Sequence, residues 1–365
     1  MPAHTSPPSF RTLPAAPAVP RPGPLAPPPA GPFVRGRTLH LAAAIGGRLP
    51  QDAAHYREMA RLAEDGGLDF VTLGPVAAGA TGLLDAVALL AGVAPATDRI
   101  GVVPALAASG AEAADPQAIA PALAALDWVS RGRAGWTVEV PAAPAPRGRG
   151  RARPQRPEAL WRAAGDTAEA VRRLCGAPGG APRTAPVTVL DATEPAARRT
   201  AARHADLAFV RAARPDDAGR ARAEVQGLAA EAGRGPEPLP VLADLAVDLC
   251  GGERGPEPGA EIALAADASG GVLFRGGPVD LADLIADWLR QGAVDGFHVR
   301  PVEPRRDLER FVNGTAALLQ HRGLFRSFHP GSTLREHLGL HRVWTGGAAL
   351  PPAGDRAGAR AGAAS

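Results

Sequence analysis

The stretch GGPVDLADLIADWLRQGAVDGFHVR (residues 276–300), continued by DLERFVNGTAALLQ (307–320), GLFR (323–326) and TLREHLGL (333–340), decides the fold. Leu281, Leu284, Ile285, Trp288 and Leu289 recur at helical spacing, so 279–289 reads as an amphipathic helix. Pro278 suits its first turn, where a missing N–H costs nothing, and Gly292 ends it. Gly296-Phe297-His298-Val299-Arg300 then reads as a short buried strand, and Asp307–Gln320 as a second helix. Helix, strand, helix at this rhythm is the last turn of a β/α alternation.

Working outward, the same alternation begins near Arg37. Strands are expected at Leu39–Ala42, Leu68–Leu73, Arg99–Val103, around Trp136, Pro186–Leu190, Leu207–Val210 and Val241–Leu249, with the eighth at Phe297–Arg300. Helices are expected between them at Asp52–Glu64, Leu83–Ala94, Pro116–Val129, Glu158–Leu174, Pro195–His204 and Asp216–Ala232. Residues 251–277 carry no clear pattern. Eight strands, each followed by a helix, give an α/β fold of the (β/α)8 barrel (TIM barrel) type, and 365 residues suit one such domain with tails. The domain is expected over 35–345. The Pro-rich segment 1–34 and the Gly/Ala-rich segment 346–365 read as disordered tails. Leu324, Phe325, Leu334, Leu338 and Leu340 are too apolar to leave in water, so 323–340 is expected to pack back onto the barrel.

Composition excludes several classes. All 40 basic residues are Arg, beside abundant Ala, Gly and Pro, which is a coding bias before it is a function; the formal net charge is only +3. Arg147, Arg149, Arg151, Arg153 and Arg156 lack interleaved aromatic residues and read as a solvated loop, with no nucleic-acid partner. Cys175 and Cys250 have no metal or redox spacing and suit a reducing cytosol. His40, His298 and His321 match no metal site, and His298 is expected inside the barrel or at its mouth. No apolar run is long enough to span a bilayer, and no signal-peptide core precedes residue 37, so a soluble cytoplasmic protein is expected.

The closing segment resembles that of the luciferase-like flavin monooxygenases, in the branch of nitrilotriacetate and dibenzothiophene-sulfone monooxygenases, where a GTP-helix-AGAVDGF strand precedes RGLFR and a TLRxxLGL tail. LDWVSRGRAGW (126–136) is similar to that family's LDHLSGGRAGWN block. The resemblance runs through about 37–340 and implies a barrel whose site lies at the C-terminal ends of the strands. It implies an FMN-dependent monooxygenase of a two-component system, acting with O2 on a small organic substrate. Reduced FMN would come from a separate flavin reductase, and a homodimer is implied. Carried over position by position, the cofactor contacts fall on Ser109 after the third strand, Thr137 in place of an Asn, Trp161 in place of a Tyr, and Thr193 and Arg198 after the fifth strand. The catalytic residues are not identified by the resemblance.

Several positions depart from the family pattern. Gly74 stands where an Asp is usual, and Leu190–Arg198 replaces QAGxSxxGR, a phosphate-holding turn at a helix N-terminus. Ala192 and Ala197 replace its glycines and Glu194 its Ser, so a carboxylate faces the position of a phosphate. In the bland reading Thr193 caps that helix and Glu194-Pro195 fills its first turn. The segment from Trp136 to Trp161 is also shorter than the family's substrate-covering excursion. The alternative function is accordingly a degenerate barrel that has lost flavin and serves as a subunit or partner of an active relative.

Overall fold

A computed structural model of the chain describes residues 38–46, 52–74, 85–109, 113–140, 156–176, 185–235, 239–250, 252–253, 264–266 and 271–340. The tails 1–34 and 346–365 and the arginines at 147–153 lie outside the described residues. Eight parallel strands form a closed ring: β1 (His40–Ala44), β2 (Phe70–Leu73), β3 (Gly101–Ala107), β4 (Gly135–Glu139), β5 (Val187–Asp191), β6 (Leu207–Val210), β7 (Val241–Asp248) and β10 (Gly296–Pro301). β10 closes it by pairing with both β7 and β1. The (β/α)8 barrel expected from the alternation is the observed fold.

The helices on the outside of the ring are α1 (Ala53–Asp65), α2 (Asp85–Val93), α3 (Pro116–Ser130), α4 (Pro157–Cys175), α5 (Pro195–His204), α6 (Pro215–Glu231) and α7 (Pro278–Arg290), followed by α8 (Pro304–Arg310) and α9 (Ala317–His321). Helix α7 follows its sequence pattern closely. Pro278 occupies its first turn, the Gly277 N–H donates to the Asp280 carboxylate at 3.1 Å, and Leu281, Leu284, Ile285 and Trp288 are buried. Trp288 packs against Phe297 of β10 with ring centroids 5.7 Å apart. Gly292 leaves the helix at φ +70°, a left-handed conformation that glycine adopts without a Cβ penalty.

Two local features differ from the sequence reading. Within the unpatterned 251–277, β8 (Leu264–Ala266) and β9 (Val272–Arg275) form an antiparallel pair, and β9 extends the sheet beside the end of β7. The helix expected over 307–320 is interrupted between α8 and α9 by a π-helical stretch, Phe311–Ala316. There the Thr315 hydroxyl donates to the Pro278 carbonyl at 2.9 Å, and a Cβ on Gly314 would lie 2.5 Å from the proline ring. Such wide turns occur where a helix must re-aim side chains inside a packed wall.

Strand periodicity sets the two layers of the core. Leu41, Val71, Val102, Trp136, Leu190 and Ala243 face the helices. Ala42, Phe70, Val103, Val189, Leu207 and Leu242 face inward and form a separate apolar cluster. That inner cluster is completed by Leu334, the first residue of the short helix α10 (Leu334–His337), and Leu338, its C-cap, which together stop the N-terminal end of the barrel. The stop explains two glycines of the strands: a Cβ on Gly101 or Gly135 would meet Leu334 at 2.7 or 3.2 Å. Buried ion pairs hold it in place, Arg335 to Asp206 at 3.2 Å and Arg326 to Asp69 at 2.9 Å. Asp69 also accepts from the Leu41 N–H at 2.9 Å. Burial alone would raise the Asp69 pKa, but His40 and Arg326 outweigh it and hold the carboxyl below its ordinary value. Segment 323–340 therefore packs on the barrel as expected.

The SRGRAGW block is built around Arg133. Its buried guanidinium donates to the carbonyls of Ser130 at 2.7 Å, Ile100 at 2.6 Å, Ala94 at 2.9 Å and Thr97 at 3.0 Å, and to the Thr97 hydroxyl at 3.0 Å. This arginine is structural: it ties the loop before β4 to the loop before β3.

Candidate active site at the barrel mouth

Along several strands the inward face changes from apolar to polar, while β1 and β3 keep Ala44 and Ala105 there. Two residues beyond Phe70, Leu242 and Val189 stand Thr72, Asp244 and Asp191, and Arg211 follows Phe209 by two. These residues line a cavity of about 580 Å³, within the size range of sites for cofactors and small molecules. It lies at the C-terminal ends of the strands, the end left open by the α10 stop and the end where barrels of this type carry their chemistry.

Its floor is a hydrogen-bonded chain. His298 on β10 lies 2.8 Å from the Asp244 carboxylate through Nδ1 and 2.8 Å from the Thr72 hydroxyl through Nε2. A carboxylate only accepts, so Nδ1 carries the proton, and in the neutral ring Nε2 accepts from Thr72. Arg300 donates to the same Asp244 oxygen at 3.1 Å. Burial would raise the Asp244 pKa, yet the His298 hydrogen bond and charge, with Arg300 and Arg211, hold it below the ordinary value. Phe209 stacks on His298 at 4.6 Å and fixes the imidazole plane. The arrangement can orient a hydroxyl and hold a proton at Thr72 or His298.

Above this floor Arg211 pairs with Asp191. Burial lowers the Arg211 pKa, but Asp191, Asp244 and Glu139 together raise it above its ordinary value. Glu139, the last residue of β4, lines the cavity, and its carboxylate makes no hydrogen bond or ion pair with the described residues. Although its side chain stays exposed at the mouth, the protein crowded around it, then the Asp191 and Asp244 carboxylates, push its pKa up, against the opposing charges of Arg211 and Arg300.

The residues expected to hold a cofactor divide in two. Thr137 and Trp161 stand on the cavity wall. The Thr137 hydroxyl is buried without a hydrogen-bond partner, as is that of Ser109, which is not part of the lining. A buried hydroxyl left unpaired costs free energy, and a bound polar ring would satisfy one at the cavity surface. Thr193 and Arg198 are turned to other tasks. The Thr193 N–H donates to Asp191 at 2.6 Å, and its hydroxyl accepts from the Arg211 N–H at 3.0 Å. Arg198 donates to the carbonyls of Ala192 at 3.1 Å and Thr193 at 2.7 Å and pairs with Glu224 at 2.5 Å. The bland reading of the α5 start is corrected too: Glu194, not Thr193, is the N-cap, and its side chain makes no capping bond. Glu194 lines the cavity instead. Thr193 and Arg198 are thus engaged away from a phosphate, and Glu194 sets a carboxylate beside the uncapped N-terminus of α5, a charge that opposes a phosphate dianion there.

The inward positions Glu139, Asp191, Arg211, Asp244 and Arg300 were not singled out from the sequence. Each stands two residues on from another inward position of its strand, and that parity was the available signal. No group of three metal-ligating side chains occurs among the described residues, and no helix among them is long and apolar enough to cross a membrane.

A closed (β/α)8 barrel with a polar cavity at the strand C-termini defines an α/β-barrel protein of the kind that holds a small molecule over its mouth. The model of the luciferase-like monooxygenases matches residues 33–248, and the chain belongs to that family. Short stretches are similar to N-acetyl-S-(2-succino)cysteine monooxygenase of Bacillus subtilis (strain 168), 40% identical over 77 residues, 21% of this chain and 18% of that protein. A second relative is nitrilotriacetate monooxygenase component A of Aminobacter aminovorans, 43% identical over 75 residues, 20% of this chain and 17% of that protein. The matches thus span less than a fifth of either relative. The fold is similar to EDTA monooxygenase from Chelativorans sp. BNC1, with a TM-score of 0.66 at 20% identity, covering 83% of this chain and 98% of that one. It is also similar to a long-chain alkane monooxygenase, with a TM-score of 0.66 at 16% identity, covering 84% and 96%.

Proposed function

We propose that this chain acts as the oxygenase of a two-component flavin monooxygenase, with reduced FMN and a small organic substrate sharing the barrel mouth. The observation that carries this reading is the open cavity of about 580 Å³ with the unpartnered Thr137 hydroxyl in its wall. Reduced flavin, when bound, supplies the electrons that activate O2. Thr137 and Trp161 would contact the ring, the apolar wall of Val138, Val140 and Leu160 would limit water, and the Thr72–His298–Asp244 chain would hold a proton beside it. The relative named as a component A supports the partnership with a separate reductase.

A second reading is favoured by the turn after β5. Glu194 and the internally satisfied Thr193 and Arg198 suit a barrel that has lost flavin and works as a subunit or partner of an active relative. Anaerobic titration of the full chain with FMN and reduced FMN separates the two. The oxygenase reading expects saturable binding of the reduced form and, with a flavin reductase added, substrate-dependent O2 uptake. Absence of binding by either form, at millimolar flavin, leaves the second reading standing.

A further inference from the structure

We propose that the substrate taken by this mouth is a small organic cation, a protonated amine or quaternary ammonium, with Glu139 as its counter-charge. The inference concerns the ligand's charge and rests on the oxygenase reading only for the reaction that follows. Four carboxyl groups (Glu139, Asp191, Glu194, Asp244) and two guanidinium groups (Arg211, Arg300) line the cavity. The two guanidinium groups are already engaged, Arg211 by Asp191 and Arg300 by Asp244. Glu139 and Glu194 are left without an ionic partner among the described residues, so the mouth carries excess negative charge in a confined space.

A second, independent feature points to a ligand at the same place. Thr137 precedes Glu139 by two on β4, so both side chains share the inward face, and the buried Thr137 hydroxyl has no partner. An ammonium or its neighbouring polar atom would satisfy a hydroxyl and a carboxylate that the protein leaves open. Trp161 and Phe209 line the same cavity and offer aromatic faces, which attract cations. The charge that disfavours a phosphate at Glu194 is the charge that favours an ammonium. The proximity of Asp191 and Asp244 helps raise the Glu139 pKa, and a bound cation would reverse that shift.

The test is calorimetric titration of the full chain with benzylammonium, benzyl alcohol and benzoate, which share a ring and differ in charge. Benzylammonium should bind at least tenfold more tightly than benzyl alcohol, with benzoate weakest. Glu139→Gln should abolish that preference while leaving affinity for benzyl alcohol unchanged and the melting temperature no lower, since it removes a carboxylate the fold holds at a cost. Should that variant fail to fold, the wild type supplies a second measurement: acidification must weaken benzylammonium binding and leave benzyl alcohol unaffected. Equal affinity for the two probes overturns the proposal. A preference that survives Glu139→Gln, or no benzylammonium binding at millimolar concentration, also overturns it. Flavin titration on the same samples separates the two readings. Ammonium preference without flavin binding retires the oxygenase and keeps this inference; flavin binding without ammonium preference does the reverse.

Discussion

Glu194 places a carboxylate on the mouth beside the start of α5. It caps α5 without bonding the helix's own N–H groups, and it faces the cavity at the end where the resemblance implies a phosphate. Two like charges about 4 Å apart cost about 4 kcal/mol at an effective dielectric near 20, roughly three decades of affinity. FMN should therefore bind the wild type more weakly than about 100 μM, as a micromolar site would after that loss. Glu194→Ser should bind it at least tenfold more tightly, by removing the charge and offering a hydroxyl at a helix N-terminus. Flavin fluorescence quenching measures both, and a wild type that already binds tightly would show that Glu194 does not oppose the phosphate. Ala197 needs no change, because it is fully buried in the outer core and a glycine there would only leave a void. The exchange of Ser for Glu was visible in the sequence by comparison with the family motif. Invisible was the local use of Thr193 and Arg198, since they are drawn to Arg211 and Glu224, partners on other parts of the chain.

At the scale of elements, α10 and the segment leading to it form a stopper whose removal should be felt by the whole barrel. Phe325, Leu334 and Leu338 are almost wholly buried, each worth about 1.5–3 kcal/mol relative to exposure. Deleting 323–365 would also leave Asp69 and Asp206 buried without Arg326 and Arg335, which is costlier than never having had the pairs. The melting temperature should fall by at least ten degrees, since a domain of this order of size loses about 2–4 °C per kcal/mol. An unchanged melt followed by circular dichroism would contradict the stopper. A milder probe is Leu334→Ala, expected to cost about 2–5 kcal/mol in denaturant titration, with no change in ligand binding at the other end of the barrel. The eight strands and the apolar tail were legible because strand and helix periodicity, glycine stops and Pro278 speak locally. The β8–β9 pair was not, because β8 is only three residues long and flanked by unpatterned chain, so its order comes from pairing with β9. The π-helical stretch was equally hidden, since it answers to the ring of Pro278 across the interface with α7.

For the whole molecule, the buried titratable groups give a response to acid whose direction can be worked out. His204, His329 and His337 have pKa values below the ordinary histidine value, with burial the largest cause. As pH falls below about 6.5 the unfolded chain takes up these protons before the folded one, so stability declines there. Asp69 and Asp244 are held below the ordinary value, because the favourable charges around them outweigh burial. Their contribution is fully present above about 3.9 and is lost as pH falls through their folded values. Glu139 works the other way: with its pKa raised, acidification relieves an unfavourable carboxylate. It is one group against five, so the net course is downward in two stages. The melting temperature should decline gently from about pH 7 to 5 and steeply below about pH 4. His337→Gln, which keeps a donor for the Gly331 carbonyl now 3.1 Å from the imidazole, should flatten the first stage and spare the second. Asp69→Asn should weaken the second stage while lowering stability at neutral pH, because Arg326 then lacks its buried partner. A melting temperature that holds or rises between pH 7 and 5 in the wild type would mean that Glu139, not the histidines, governs the acid response of this barrel.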